Sequence, residues 1–269
     1  MKQTLVKLLR SLHLLHLAEG LRSMLVRRRL GVAMRDFESR NPGYVMPPWD
    51  IAYDAFGGLE PEKYRELGQL HAAKIAGHIG RHANAHAAAG TALTICDWGC
   101  GPMRVMRCLP EHAGVANHYI GLDYNPRTIA WASRAFPQFT FRLNALQPPL
   151  PLEAESVDVL YCISVFTHLS RKVALDYIAD IHRILKPGGL LIATLHGEVN
   201  SANLTPEELV RFNRGEYVER GGVEEGKRIY VAYHPPGFVH EAFGQFEHLV
   251  TDTDNPTPYF KQEWWVFRK

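Results

Sequence analysis

Four stretches of this chain end an apolar run on a polar or small residue that could touch a ligand. Ile95-Cys96 runs into Asp97-Trp98-Gly99-Cys100-Gly101, H-Y-I-G-L into Asp123-Tyr124, F-T-F-R-L into Asn144-Ala145, and L-Y-C-I into Ser164. Gly99 and Gly101 let the backbone turn sharply and approach a ligand closely. Asp123 follows Asp97 by 26 residues, and a carboxylate there can accept hydrogen bonds from two ribose hydroxyls. In a doubly wound sheet ligands lie beyond the carboxyl ends of the strands, so four such positions describe one crevice. The chemistry they suit is recognition of an adenosine-containing cofactor. The competing reading is a structural strand-turn-helix with nothing in the crevice.

Proton transfer is the second chemistry within reach. His168 stands four residues past Ser164 in I-S-V-F-T-H-L, His196 follows T-L with Glu198 just beyond, and His234 closes Y-V-A-Y-H. Histidine is the usual general base near neutral pH. With 14 histidines in the chain, a structural role competes at each, and the ranking runs His168, His196, His234. His78, His82 and His86, with His71 upstream, recur at spacings that could line one helix face with metal ligands. A helix end whose imidazoles suit the dipole is the preferred alternative, and no metal site is assigned. Cys96, Cys100, Cys108 and Cys162 form no CxxC pair and read as buried reduced thiols.

These residues need elements to position them. Apolar runs of strand character at 92–97, 118–123, 139–144, 157–164 and 189–195 alternate with helical stretches at about 102–109, 126–135 and 171–185, the last closed by K-P-G-G. Continuous apolar strands alternating with helices predict a parallel sheet covered on both faces. H-L-V-T-D and the ending K-Q-E-W-W-V-F-R-K predict a late antiparallel hairpin. The fold class is therefore α/β, doubly wound, with a mostly parallel seven-stranded sheet and a C-terminal antiparallel hairpin. Glu60-Pro61-Glu62 opens a helix that turns Tyr64, Leu67, His71, Ile75 and Ile79 to the core. T-P-E-E-L-V-R-F, 205–212, reads as a Thr-capped helix. Residues 41–58 read as irregular structure, in which Trp49, Tyr53 and Phe56 either close over the crevice or pack the helix layer. Two regions result: a basic helix with an aromatic, lid-like segment over 1–58, and the cofactor-binding domain over 59–269.

A composition of 46% hydrophobic and 22% charged residues is that of a globular protein. The net charge of +2 is unevenly spread, with +6 in residues 1–30 and −4 in the rest. A mildly acidic body argues against broad nucleic-acid binding. The uncharged run Ser11–Ala18 is too short to span a bilayer, which takes about 20 apolar residues. No small-residue cleavage site follows it. What remains is a basic amphipathic helix that lies on an anionic membrane surface or packs on its own domain. The expected location is cytoplasmic, with peripheral membrane contact through residues 1–30 as the alternative to self-packing.

On these motifs the chain resembles the class I S-adenosylmethionine-dependent methyltransferases. The family's opening acid-x-Gly-x-Gly is matched by Asp97 to Gly101, followed in order by G-L-D-Y-N (121–125), L-N-A (143–145), C-I-S-V-F-T-H-L (162–169) and R-I-L-K-P-G-G-L-L-I-A (183–193). The resemblance covers about residues 60 to 198, and the final hairpin besides. It implies a Rossmann-like methyltransferase fold with S-adenosyl-L-methionine as cofactor. It also implies Gly99 and Gly101 along the methionine moiety, Asp97 orienting the loop or reaching the amine, and Asp123 on the ribose. Tyr124 would lie against the adenine, Asn144 and Ala145 at its edge, and Ser164 at the methionine end. Arg104 is a candidate for the methionine carboxylate or a surface helix residue. The family often has glycine where this chain has Met103, which leaves the loop geometry open. I-S-V-F-T-H-L-S, A-Y-D-A-F-G-G and W-V-F-R-K are similar to bacterial methyltransferases that accompany polysaccharide assembly. That likeness implies O-methylation of a sugar hydroxyl on a lipid-linked or surface glycan precursor. A small-molecule N-methyltransferase and a catalytically silent binding subunit stay open; a nicotinamide oxidoreductase is disfavoured by the missing third glycine.

Overall fold

The computed structural model describes residues 15–83, 91–255, 257–258 and 260–269; His86 and the first 14 residues of the basic head lie outside them. The strands are β1 Thr94–Trp98, β2 His118–Asp123, β3 Thr140–Leu143, β4 Val157–Cys162, β5 Leu185–Leu195, β6 Val218–Arg220, β7 Val231–Tyr233, β8 Glu247–Asp252 and β9 Glu263–Arg268. Seven form one sheet in the order β3-β2-β1-β4-β5-β9-β8, while β6 and β7 pair apart from it. β1 to β5 run parallel, and β9 runs antiparallel to both β5 and β8. From β1 the chain builds outward through β2 to β3, then crosses back to β4 on the other flank of β1. That reversal opens a crevice at the carboxyl ends of β1 and β4.

The helices are α1 Leu15–Arg40, α2 Trp49–Phe56, α3 Pro61–His82, α4 Leu109–Ala113, α5 Pro126–Ala135, α6 Arg171–Ile184, α7 Pro206–Asn213 and α8 Pro236–Ala242. Neighbouring residues along each central strand enter opposite cores. Cys96, Leu160, Leu191 and Phe267 join one cluster with α6, and Ile95, Val159, Ile192 and Val266 join the other with α3. The period of two in a strand thus puts an apolar side chain into each face, which is why these strands are uninterrupted apolar runs. Burying each such side chain contributes roughly 1.5–3 kcal/mol. α6 starts where the Ser170 hydroxyl accepts the Val173 N–H, and α7 starts in a full capping box between Thr205 and Glu208.

Two local expectations are corrected. Residues 102–107 form turns, and the helix there spans Leu109–Ala113. Met103 has a left-handed φ of 65°, and Pro110 lacks the N–H that would carry a helix through residue 106. Within the stretch read as irregular lies α2. It opens at Pro48 and closes at left-handed Gly57, whose N–H bonds the Tyr53 carbonyl. All four cysteines are buried and free.

Candidate functional site

The sheet delivers Asp97, Gly99, Gly101, Asp123, Tyr124, Asn144, Ala145 and Ser164, together with His168 and His196, to the wall of one cavity of about 510 Å³. That volume lies within the usual range for small-molecule sites, about 300–1,000 Å³. The loop after β1 is fastened to β2. Both Gly99 and Cys100 donate their N–H to the Leu122 carbonyl, at 2.8 and 2.9 Å. Gly99 has a φ of 79°, and a Cβ there would come within 2.5 Å of Val165 Cγ2. Only glycine fits this bend. Met103 answers the question its position raised. It takes the left-handed conformation a glycine would find easy, yet its side chain is 0% exposed, packed in the core under the loop.

Asp123 closes the next strand end. Its Oδ2 accepts the Gly101 N–H at 3.0 Å and its Oδ1 the Asn125 N–H at 2.8 Å. Each carboxylate oxygen keeps a further lone pair for a ligand hydroxyl. Burial, opposed by those two N–H groups, raises its pKa to about 6. Asp97 accepts the Tyr161 hydroxyl at 2.8 Å, and burial raises its pKa to about 7. Both carboxyls would gain from a ligand that brings hydroxyls or positive charge. Asn144 Oδ1 and Arg104 Nε, on two cavity-lining residues, are buried with no hydrogen-bond partner among the described residues. The first is an acceptor that an adenine amino group would satisfy. The second belongs to a guanidinium held 4.7 Å above the Phe56 ring on the cavity wall, where a carboxylate would satisfy it. The residues present therefore fit S-adenosylmethionine at its ribose, adenine, amine and carboxylate.

Ser164 is held in a left-handed φ of 61° by bonds on every side. Its N–H donates to Thr194 Oγ1 and its carbonyl accepts the Thr167 hydroxyl, while its own Oγ accepts the Gln262 amide, all at 2.8 Å. Such a conformation persists only where its surroundings over-determine it. Gln262 also accepts the Thr194 hydroxyl at 2.6 Å and approaches His196 Nε2 at 3.3 Å. His196 Nδ1 faces the Ala232 carbonyl at 3.1 Å, so Nδ1 carries the proton, and its Nε2 lone pair is taken by Gln262. Burial lowers its pKa to about 4. His168 differs. Its Nδ1 donates to the Tyr230 carbonyl at 2.7 Å, leaving Nε2 as an acceptor on a cavity-lining residue, and burial lowers its pKa. His234 is not brought to the cavity. It is buried edge-on against Tyr217, and burial lowers its pKa to about 3.

Of the lid-like aromatics, Phe56 reaches the cavity, with Ile51, Asp54 and Ala55 of the same helix. Trp49 and Tyr53 line an adjoining open depression instead. His71 and His78 pack against Trp264, and burial lowers their pKa values to about 3 and 4. Among the described residues no group of three or more His, Cys, Asp or Glu is placed to hold a metal ion. Sequence reasoning missed Thr194, Gln262 and Tyr161. Thr194 and Tyr161 lie inside strands that read as core, and Gln262 lies on the far side of the chain from Ser164, so no local signal marks them.

Residues 96–193 match the family model described as a methyltransferase domain. That match covers little more than a third of the chain, and the sheet order and crevice are those of a Rossmann-like α/β fold. A relative named a probable S-adenosylmethionine-dependent methyltransferase, from Mycolicibacterium smegmatis, is 34% identical over 82 residues, 30% of this chain and 31% of that protein. The match thus spans about a third of that relative's length. Among solved structures, the magnesium protoporphyrin IX methyltransferase of Synechocystis PCC 6803, with bound S-adenosylhomocysteine, is 17% identical with a TM-score of 0.54, covering 91% of this chain and 99% of that one. An S-adenosylmethionine-dependent methyltransferase of Methanosarcina mazei is 17% identical with a TM-score of 0.54, over 71% and 96% of the two chains. At that identity these two share the fold. Domain match, relative and site chemistry support S-adenosylmethionine as the cofactor.

Proposed function

We propose that this protein is an S-adenosylmethionine-dependent methyltransferase that methylates a hydroxyl group of a sugar or glycan precursor. The observation that carries the hydroxyl assignment is His168. Its Nδ1–H is committed to the Tyr230 carbonyl at 2.7 Å, so its neutral ring offers Nε2 to the cavity. The cofactor, when bound, supplies a methyl group activated on a sulfonium. Asp123 would hold its ribose, Asn144 its adenine, and Asp97 with Arg104 its charged end. His168 Nε2 takes up the proton that a hydroxyl acceptor must shed, and burial keeps the ring neutral and ready for it. Helix α2 covers one side of the cavity with Phe56 and excludes water from the reacting groups.

A sugar acceptor is supported by the depression that adjoins the cavity and shares Ile51, Asp54, Tyr124 and Asn125 with it. Trp49 and Tyr53 lie there with ring centroids 5.8 Å apart at 31°. The Arg228 guanidinium lies over the Tyr53 ring at 5.5 Å, while the Trp49 ring suits the C–H row of a pyranose. Asp54, which accepts the Asn125 amide at 3.3 Å and lies 3.8 Å from Lys227, and Arg127 suit its hydroxyls. The test is transfer of a labelled methyl group into fractionated cell extract. Label in polysaccharide or a glycan precursor supports the reading; label only in amines would replace it with N-methylation. His168→Ala should abolish most turnover while S-adenosylhomocysteine binds unchanged.

A further inference from the structure

Helix α1 has two apolar faces, half a turn apart. Leu30 and Phe37, seven residues apart, are buried against the body, where Phe37 meets the Tyr44 ring edge-on at 5.3 Å. Leu21 is nine residues before Leu30, which at 100° per residue is the opposite side. Leu21, Leu25 and Val32 follow one another at steps of four and seven, with Met24 beside them, and are 59%, 60%, 67% and 68% exposed in the order Leu21, Leu25, Val32, Met24. A helix on a globular body normally turns polar residues outward, and the described residues leave this second apolar stripe exposed. Its neighbours are basic. Arg28 and Arg35 lie within the stripe, Arg22 and Arg29 flank it, and Glu19 is the single acid between residues 15 and 35. All four arginines are exposed.

We propose that this outward face of α1 docks on an anionic lipid surface. Apolar side chains enter the acyl boundary while arginines around them meet phosphates. An acidic protein partner would explain the arginines but not four large apolar residues between them. A second copy of this helix would bring like charges together. Among the described residues no helix is long and apolar enough to cross a membrane, so the contact is peripheral. The inference does not depend on the methyltransferase reading, because it concerns a face remote in chemistry from the cofactor crevice.

The experiment is co-sedimentation of the full chain with vesicles of phosphatidylcholine alone and of phosphatidylcholine mixed with an equal share of phosphatidylglycerol, without cofactor. Binding is expected to the mixed vesicles and to weaken in high salt. Each arginine removed should lower the partition roughly fivefold. The variants are R28Q with R29Q, and L21S with L25S, all at exposed positions, with circular dichroism confirming the fold. Loss of binding in both pairs supports the proposal. Equal binding to both vesicle types, no binding to either, or binding that survives both pairs overturns it. So does a concentration-dependent dimer that L25S dissolves without any vesicle binding, since a second copy then covers the face.

Discussion

Replacing Asp123 by asparagine sets two effects of known sign against each other. The side chain is 8% exposed, and both its oxygens accept backbone N–H groups, from Gly101 at 3.0 Å and Asn125 at 2.8 Å. Asparagine keeps one acceptor and presents an amide donor to the other N–H, leaving a buried donor unsatisfied at a cost of about 1–3 kcal/mol. Against this, burial raises the carboxyl pKa from 3.8 to about 6, a shift worth about 3 kcal/mol of destabilisation once the group is ionised. The sign follows from linkage: a carboxyl with a raised folded pKa stabilises the fold below its unfolded pKa and loses that contribution as pH rises through about 6. Near pH 8 the two effects nearly cancel, so urea denaturation should find the stability of Asp123→Asn within about 1–2 kcal/mol of the parent. Cofactor affinity should not cancel. Losing one charge-assisted bond to the ribose costs about 1.5–3 kcal/mol, roughly a ten- to hundredfold weaker Kd for S-adenosylhomocysteine by calorimetry. Below about pH 6 the parent's own carboxyl takes a proton and the gap should narrow. A variant that binds as tightly as the parent near pH 8 removes Asp123 from the ribose site. A stability loss well above about 3 kcal/mol would refute the desolvation argument.

Three further outcomes are expected. Turnover of His168→Ala should fall by about 10²–10⁴, the usual worth of a general base. Because burial lowers the ring's pKa, the limb to watch lies on the acid side, and a pH profile that keeps that acid limb in the variant would exclude the ring. Met103→Gly trades relief of a left-handed φ, about 1–2 kcal/mol, for loss of a fully buried side chain, about 2–5 kcal/mol. The variant should unfold at lower urea by about 1–3 kcal/mol, and a gain in stability would show that strain outweighs packing. The raised pKa of Asp97, about 7, makes the cofactor-free protein lose stability as pH rises through neutrality. Saturating S-adenosylhomocysteine, whose amine favours the ionised carboxyl, should flatten that dependence, and an unchanged slope in thermal melts would place the amine elsewhere.

Strands with two apolar faces were legible because a sheet covered on both sides needs an apolar residue at every position, and that pattern survives without coordinates. Ile95-Cys96 and Leu191-Ile192 show it directly, each pair dividing between opposite cores. The crevice was legible for a related reason: Asp97, Asp123, Asn144 and Ser164 mark strand ends, and parallel strands bring all such ends to one edge. Helix α2 was hidden because prolines on one side and glycines on the other outweigh eight residues of helical pattern. The turn at 102–107 was misread because a left-handed Met103 leaves no trace in residue type.

The amino-acid sequence by itself determined the doubly wound sheet, its reversal and the acids at its edge, since these follow from local periodicity and from rules of strand connection. Tertiary structure alone decided which histidine faces the cavity with a lone pair. That depends on carbonyls at Tyr230 and Ala232 and on an amide at Gln262, partners between 36 and 66 residues away. It also decided that α1 carries a second, unburied apolar stripe. Periodicity reports where apolar residues lie around a helix, and only the packed body shows which of two opposite faces it covers.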